Sequence, residues 1–277
     1  MNILLTGSGG FVGKNLKKYL SNDYNLICPR SFELNLVDAV AVEDFFNKNK
    51  IDCIIHCAIA GGYHNETDYL VENNIAMVEN LLNNKTSDTK IILFGSGAMY
   101  DKNRDLHKVK EEEIGKFVPE NLYGLSKLKI AELIKDRKDV VCLNIFGCYG
   151  YDEKETRFPT YAIKQVINNR PIEIRQDVVF DYLFIDDLCK IVEYFINNQP
   201  LENIINITPT ESISLTEIAK IINTLIDKPV DIKILKKGMN FEYTGDNESL
   251  LKAIPNLTFT EYKEGLSKLF DYITKNY

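Results

Sequence analysis

The chain lacks long apolar runs, a basic excess, paired cysteines and more than a little histidine, and each gap removes a class of function. Apolar stretches stop at about six residues, against the roughly 20 that a membrane-spanning helix needs, so no transmembrane segment is expected. A formal net charge of −7 leaves no general basic face, so neither nucleic acid nor an anionic membrane is an expected partner. Six cysteines, Cys28, Cys53, Cys57, Cys142, Cys148 and Cys189, sit mostly in apolar strand-like runs without a Cys-x-x-Cys spacing. Reduced, buried thiols are therefore expected, and no zinc site or redox dithiol. Three histidines, His56, His64 and His107, are too scattered for a ligand set, and no metal is expected. From Met1 the sequence runs into a short apolar strand without the basic region and cleavage pattern of a secretory signal, so the expected localisation is cytoplasmic. Neither an internal repeat nor a low-complexity linker interrupts the 277 residues.

What is present is an ordinary globular balance, 45% hydrophobic and 26% charged, enough for a large core. Strand-like runs at Ile3 to Leu5, Leu26 to Cys28, Cys53 to His56, Ile91 to Phe94 and Val140 to Ile145 alternate with segments of helical periodicity. Those segments are Val12 to Leu20, Val42 to Asn49, Tyr69 to Asn83 and Leu122 to Lys135. Strands apolar on both faces and separated by helices predict a parallel sheet covered on both sides. The expected class is thus α/β, a Rossmann-type doubly wound parallel sheet with a smaller mixed α/β substrate-binding region. Residues 1–146 form the dinucleotide-binding part, with 177–200 returning to it, and residues 147–176 and 201–277 form the smaller part. "FDYLFIDDLCKIVEYFI" is a return to the sheet followed by a helix capped by Asp186. Thr160 to Asn169, Ser214 to Leu225 and Tyr262 to Tyr272 are further expected helices.

The first strand ends in Thr6-Gly7-Ser8-Gly9-Gly10-Phe11-Val12-Gly13, with glycines at spacings of three and three before a helix. Gly7 permits the turn, Gly10 lets a pyrophosphate approach the backbone, Gly13 packs helix on strand, and the helix terminus supplies free N–H groups. Gly7, Gly10, Phe11, Val12 and Gly13 are accordingly candidate cofactor contacts. After the second strand, where an acid would hold the ribose hydroxyls of NAD, stands Cys28-Pro29-Arg30-Ser31. Arg30 would attract a 2′-phosphate, so NADP is the expected cofactor.

The stretch "ILFGSGAMYD" ends a buried strand with the small hydroxyl of Ser96. Of the fifteen tyrosines only Tyr123 has a lysine four residues later, Lys127 in "NLYGLSKLKIAE", and on a helix the two share one face. A nearby ammonium lowers the cost of forming a phenolate, which suits a phenol to proton exchange. Ser96 and the glycine loop would share the rim of a parallel sheet where ligands bind in open α/β folds.

With these motifs the chain resembles the extended short-chain dehydrogenase/reductase family of nucleotide-sugar enzymes, over nearly its full length. "ELNLVD", "HCAIAGG", "NNIAMVENLL", "NIFG" and, in part, "FDYLFIDDL" add to the likeness, which is greatest to the GDP-fucose synthase branch of 4-keto-sugar reductases. The resemblance implies that Ser96 hydrogen-bonds the sugar carbonyl or hydroxyl and Tyr123 exchanges the proton. Lys127 would hold the nicotinamide ribose and assist Tyr123. Leu36, Cys57, Ala58 and Ile59 would line the adenine and ribose side, Asn74 would support the site, and Asn144 would lie near the nicotinamide and the substrate diphosphate.

Departures from the family pattern narrow the reaction. Dehydratases follow the hydroxyl residue with an Asp-Glu pair, whereas here Gly97-Ala98 follow. Ala98 also stands where the GDP-fucose synthase branch has an epimerising cysteine, and Thr156-Arg157-Phe158 where it has a histidine. Many relatives grip the diphosphate with an arginine at the position of Phe180, so Arg157, Lys164, Arg170 and Arg175 are candidate replacements. Ser96, Ala98, Asn144 and Arg157 are the expected substrate contacts. The expected activity is NADPH-dependent reduction of the C4 ketone of a nucleoside-diphosphate 4-keto sugar, without epimerisation or dehydration, in deoxysugar or heptose biosynthesis. A nucleotide-sugar 4-epimerase with tightly held NAD and a non-catalytic dinucleotide sensor remain alternatives. A homodimer is expected through the helices Tyr69 to Asn83 and Leu122 to Lys135.

Overall fold

The computed structural model describes residues 1–61, 67–200 and 202–276; Gly62 of the "HCAIAGG" motif and His64 lie outside the described residues. In chain order the first half runs β1 (Asn2–Thr6), α1 (Phe11–Leu20), β2 (Asn25–Ile27), α2 (Ala39–Lys48), β3 (Cys53–His56), α3 (Leu70–Asn84) and β4 (Lys90–Ser96). A 3₁₀ turn (Gly97–Tyr100), β5 (Leu106–Val109), a second 3₁₀ turn (Glu111–Glu113), α4 (Leu122–Ile134) and β6 (Val140–Ile145) follow. The remainder is β7 (Gly147–Tyr149), α5 (Phe158–Ile167), β8 (Ile172–Asp177), β9 (Val179–Phe180), β10 (Tyr182–Phe184), α6 (Ile185–Asn197) and β11 (Ile204–Ile207). It closes with β12 (Ile213–Ser214), α7 (Leu215–Asn223), β13 (Ile232–Met239), β14 (Tyr243–Gly245), α8 (Glu248–Ala253) and α9 (Tyr262–Asn276).

The main sheet has six parallel strands in the order β11-β6-β4-β3-β1-β2. Its strands are apolar at consecutive positions because successive side chains enter opposite cores. Ile3 and Leu5 of β1, Ile55 of β3, Ile92 of β4 and Leu143 of β6 enter one core with Leu16 and Leu20 of α1 and Ile191 and Phe195 of α6. Leu4, Ile54, Ile91, Leu93 and Cys142 enter the other with Val42, Met77, Val78, Leu81, Ile130 and Ile134 from α2, α3 and α4. This is the doubly wound class expected from the sequence. The first core continues without a break into the smaller region through Ala162 and Ile163 of α5, Ile172 and Ile174 of β8, Ile218 of α7 and Leu266 of α9.

Helix starts follow local chemistry. Asp38 accepts from the backbone N–H of Val40 and Ala41 to cap α2, Asn121 caps α4 through Gly124 N, and Ser214 with Glu217 forms a capping box on α7. The start of α6 differs from expectation: Phe184 occupies the cap, and Asp186 and Asp187 lie in the first turn, where the helix dipole favours acids. Asp187 is buried and accepts from Thr260 N and Oγ1, pinning the segment before α9.

Two strand pairings also differ. β10, expected to return to the main sheet, pairs with β7, while β11, beyond the 177–200 segment, supplies the sheet's edge. β11 has a polar centre, Asn206, whose amide is spent inside the fold: its Nδ2 donates to Val109 O at 3.0 Å and its Oδ1 accepts from Tyr100 Oη at 2.7 Å. Asn206 N, on the open side of this edge, donates to Glu111 Oε1 at 2.8 Å. No helix among the described residues is long and apolar enough to cross a membrane.

Truncating the fully buried Phe195 to alanine is expected to cost about 3–5 kcal/mol of unfolding free energy. Val40→Ala, at a side chain 68% exposed, should stay within about 0.5 kcal/mol. Urea unfolding followed by circular dichroism checks both.

Candidate active site

β2 and β3 flank β1 on opposite sides, and their crossover helices α1 and α2 cover opposite faces, so a crevice opens at the carboxyl ends of β1 and β3. The glycine loop fills its base. Gly7 has a left-handed φ of 65°, and a Cβ there would stand 2.5 Å from Ala58 N, so the turn lies directly against the chain leaving β3. A Cβ on Gly13 would stand 2.2 Å from Gly7 O, so only glycine lets α1 start this close to the turn. Gly10 N donates to Gly7 O at 3.0 Å, and α1 has neither a side-chain cap nor an acid in its first turn. Its amino end, with Phe11 and Val12 half-buried, is left to an anion. Arg30 leans over the loop: its Nη1 stands 2.7 Å from where a Cβ on Gly9 would be. These features fit a dinucleotide whose phosphates rest on Gly10 to Gly13, with Arg30 within reach of the ribose side.

The other wall of the crevice is braced by Asn74, whose Oδ1 accepts from Ala60 N at 2.9 Å and whose Nδ2 donates to Ala60 O and Leu70 O. Cys57 and Ala58 are half-buried there and Ile59 is 40% exposed. Leu36 is turned inward, buried in the core beneath α2 and α3, and its carbonyl accepts from Asn80 Nδ2 at 2.9 Å. It supports this wall from below.

Ser96 ends β4, nearly buried, and its Oγ accepts from Ala98 N at 3.2 Å. α4 packs directly on the turn that follows, because a Cβ on Gly124 would stand 2.6 Å from Ala98 O. Tyr123, the residue before Gly124, is thereby brought to the end of β4. One turn on, Lys127 Nζ donates to Phe94 O at 2.7 Å and stands 5.8 Å from the centroid of the Tyr123 ring. The three predicted catalytic residues thus gather where β4 meets α4. Lys127 also acts on His56 at the end of β3: burial and the Lys127 charge hold its imidazole down to about 3. His56 is therefore neutral, sharing a 2.8 Å hydrogen bond with Thr6 Oγ1. Burial pushes the Cys142 thiol up to about 12, and all six cysteines are free, which leaves Cys142 an inert packing group.

The expected substrate contacts divide. Ala98 is buried in the turn under α4. Asn144 is fully buried below the rim, its Oδ1 accepting from Cys142 Sγ and its Nδ2 donating to Asn206 Oδ1 at 3.4 Å, so it ties β6 to β11 and does not line the open crevice. Arg157 is exposed at the cap position of α5. Lys164 is paired with Glu155 at 2.5 Å. Arg170 lies past the far end of α5, about 15 Å of helix from Arg157, and Arg175 is exposed on β8. Phe180 stands among Tyr182 and Tyr243, ring centroids 5.3 and 5.5 Å away. Sequence reasoning passed over Lys102, whose ammonium sits 4.1 Å from the Tyr243 ring centroid. Its only signal was its place just after "GSGAMYD".

Residues 3–208 match the family described as NAD dependent epimerase/dehydratase. The chain belongs to that family. Its members are NAD(P)-dependent enzymes that modify nucleotide sugars. Over 254 residues the chain is 30% identical to a GDP-L-colitose synthase of Yersinia pseudotuberculosis, covering 82% of each. A GDP-L-fucose synthetase from Naegleria fowleri, solved with NADP bound, superposes with a TM-score of 0.82 at 17% identity over 99% of this chain and 93% of that one. A GDP-mannoheptose C4 reductase from Campylobacter jejuni, with NADP bound, gives 0.81 at 18% identity over 99% and 98%. At these identities the two solved structures show that the epimerase/dehydratase fold is shared.

Glu153, before α5, accepts from Thr160 N at 3.0 Å and Oγ1 at 2.6 Å, and burial raises its carboxyl to about 7 against the pull of those bonds and of Arg157. Between about pH 4.5 and 7 the folded state keeps a proton that the unfolded chain has released. The residue's stabilising share is thus full below pH 4.5 and is lost as pH rises through 7, on the order of 3 kcal/mol in all. Glu153→Gln should flatten this part of the stability curve, measured by urea unfolding across that range.

Proposed function

We propose that this enzyme uses NADPH to reduce the C4 ketone of a nucleoside-diphosphate 4-keto sugar, without epimerising or dehydrating it. The observation that carries the reading is the anchoring of Lys127 to Phe94 O beside Tyr123, at the strand end that Ser96 completes. Reduced nicotinamide, when bound, supplies the hydride. Ser96 donates a hydrogen bond to the sugar carbonyl oxygen and so favours the negative charge that grows there. Tyr123 gives that oxygen its proton, and the Lys127 ammonium beside the ring stabilises the phenolate left behind. Gly97 and Ala98 carry no proton-transferring side chain, which leaves dehydration without an acid–base pair at this turn.

Arg30 above the glycine loop supports NADPH over NADH, because a guanidinium can pair with a 2′-phosphate. A homodimer through the outer surfaces of α3 and α4 belongs to the same reading, in which the product feeds deoxysugar or heptose synthesis.

NADPH oxidation assayed against 4-keto sugars carrying GDP, CDP, UDP or dTDP tests the reaction. Protein that purifies with NAD and leaves NADPH unconsumed would support a 4-epimerase instead. Tyr123→Phe should lower kcat by about 10²–10⁴ while leaving NADPH affinity unchanged. Arg30→Ala should raise the KM for NADPH by about tenfold or more and leave that for NADH in place, as steady-state kinetics with both cofactors would show.

A further inference from the structure

Against the turn that follows Ser96 stands a small sheet of four strands, β12-β9-β14-β5, and one buried carboxylate ties its strands together. Asp181, just past β9, is fully buried. Its Oδ1 accepts from Ser212 Oγ at 2.6 Å and from Lys108 Nζ at 3.3 Å, and its Oδ2 accepts from Gly245 N at 2.8 Å. Lys108 Nζ also donates to Thr210 O at 3.4 Å. The end of β9, β5, β14 and the chain entering β12 thus meet on one side chain.

A bulge in β5 delivers Lys108 to this carboxylate. Between the pairings of Tyr243 with Leu106 and of Gly245 with Val109, β5 advances one residue more than β14 does. Lys108, inside the bulge, takes a left-handed φ of 44°, which a side chain adopts only where its surroundings hold it, and its N–H donates to Thr244 Oγ1 at 2.8 Å. Bulges re-aim side chains, and this one aims an ammonium at a buried acid. The network then reaches the turn after Ser96 through Phe146. A Cβ on Gly97 would stand 2.6 Å from Phe146 Cδ1, and a Cβ on Gly245 would stand 2.6 Å from Cε2, so the ring is wedged between the two glycines. Phe146 also packs against Tyr243 of β14, ring centroids 5.1 Å apart. The Gly245 N–H that Asp181 holds therefore sets how β14 presses Phe146 against Gly97, the residue next to Ser96.

We propose that Asp181, paired with Lys108, is a positioning residue that holds Ser96 in place for the reduction. The inference rests on the reductase reading above. Asp181 is fully buried, so it acts through its neighbours and touches no substrate. Removing either partner leaves the other charge uncompensated beneath the sheet, and the strands relieve it by shifting, which takes β14 off Phe146. The route from Asp181 through Gly245 and Phe146 to Gly97 bypasses the glycine loop, so coenzyme binding is spared.

Protein labelled with ¹⁵N-glycine reports the turn without turnover, because Gly97 and Gly245 are two of fifteen glycine amides. Asp181→Asn keeps the side-chain shape and removes its charge. Lys108→Met removes the cation at a side chain 35% exposed, and Lys108→Arg restores it. In the first two variants both amide signals should move, kcat for a 4-keto sugar should fall by about tenfold or more, and NADP⁺ affinity should be unchanged. Lys108→Arg should keep the signals and kcat near wild type. A Gly245 signal that moves alone, kcat per coenzyme-binding site at the wild-type level, or a loss that falls on NADP⁺ would overturn the positioning role. If Asp181→Asn does not fold, the two Lys108 variants decide by themselves. A wild type that turns over no 4-keto sugar would remove the reductase, with the Gly97 signal still deciding the positioning. A wild type that reduces one, with signals and kcat held in Lys108→Met, would do the reverse.

Discussion

The bond from Lys127 Nζ to Phe94 O holds the rest of the site in place. It fastens α4 to the last turn of β4, and Tyr123 and Ser96 are carried to one spot by the same fastening. The partner is a neutral carbonyl, which brings no opposite charge to the strand ends. The lysine's charge is felt at His56 and Cys57, where β3 ends, and at Cys142 inside β6. A carboxylate partner would have fixed the side chain equally well and erased the field.

Around this charge the fold relies on backbone contact where side chains would be expected. Gly7 lies on Ala58, Gly13 on Gly7, and Gly124 on Ala98, so the crevice is assembled from main chain pressed against main chain. Such contacts leave N–H groups, and not side chains, facing the base of the crevice, which is the donor set that suits phosphate oxygens. The neutral His56 and the bond it shares with Thr6 then supply a fixed, uncharged flank between β1 and β3.

Much of this was legible in the sequence because each signal was local. The glycine spacing, the Tyr123–Lys127 pair and the doubly apolar strands each depend on residues a turn or a pleat apart, and the structure places them together. The remainder depends on partners distant in the chain. β11 hides its strand character behind Asn206, whose amide meets Tyr100 and Val109. Asn144, plausible as a ligand contact from its motif, is enclosed because β11 closes over it. Lys102 went unnoticed because its ring contact is with Tyr243, far along the chain.

The apolar core that passes without a seam from β1, β3 and β4 into α5, α7 and α9 has a mechanical meaning. Sliding the smaller region against the larger one would shear Ile163, Ile174, Leu188 and Leu266 past one another, and close-packed side chains resist that strongly. Closing the crevice by moving one region on the other would mean repacking this shared core. Which sugar the crevice admits is decided by the shapes that project into it from the connecting segments, and a change of substrate requires new side chains there without a new hinge.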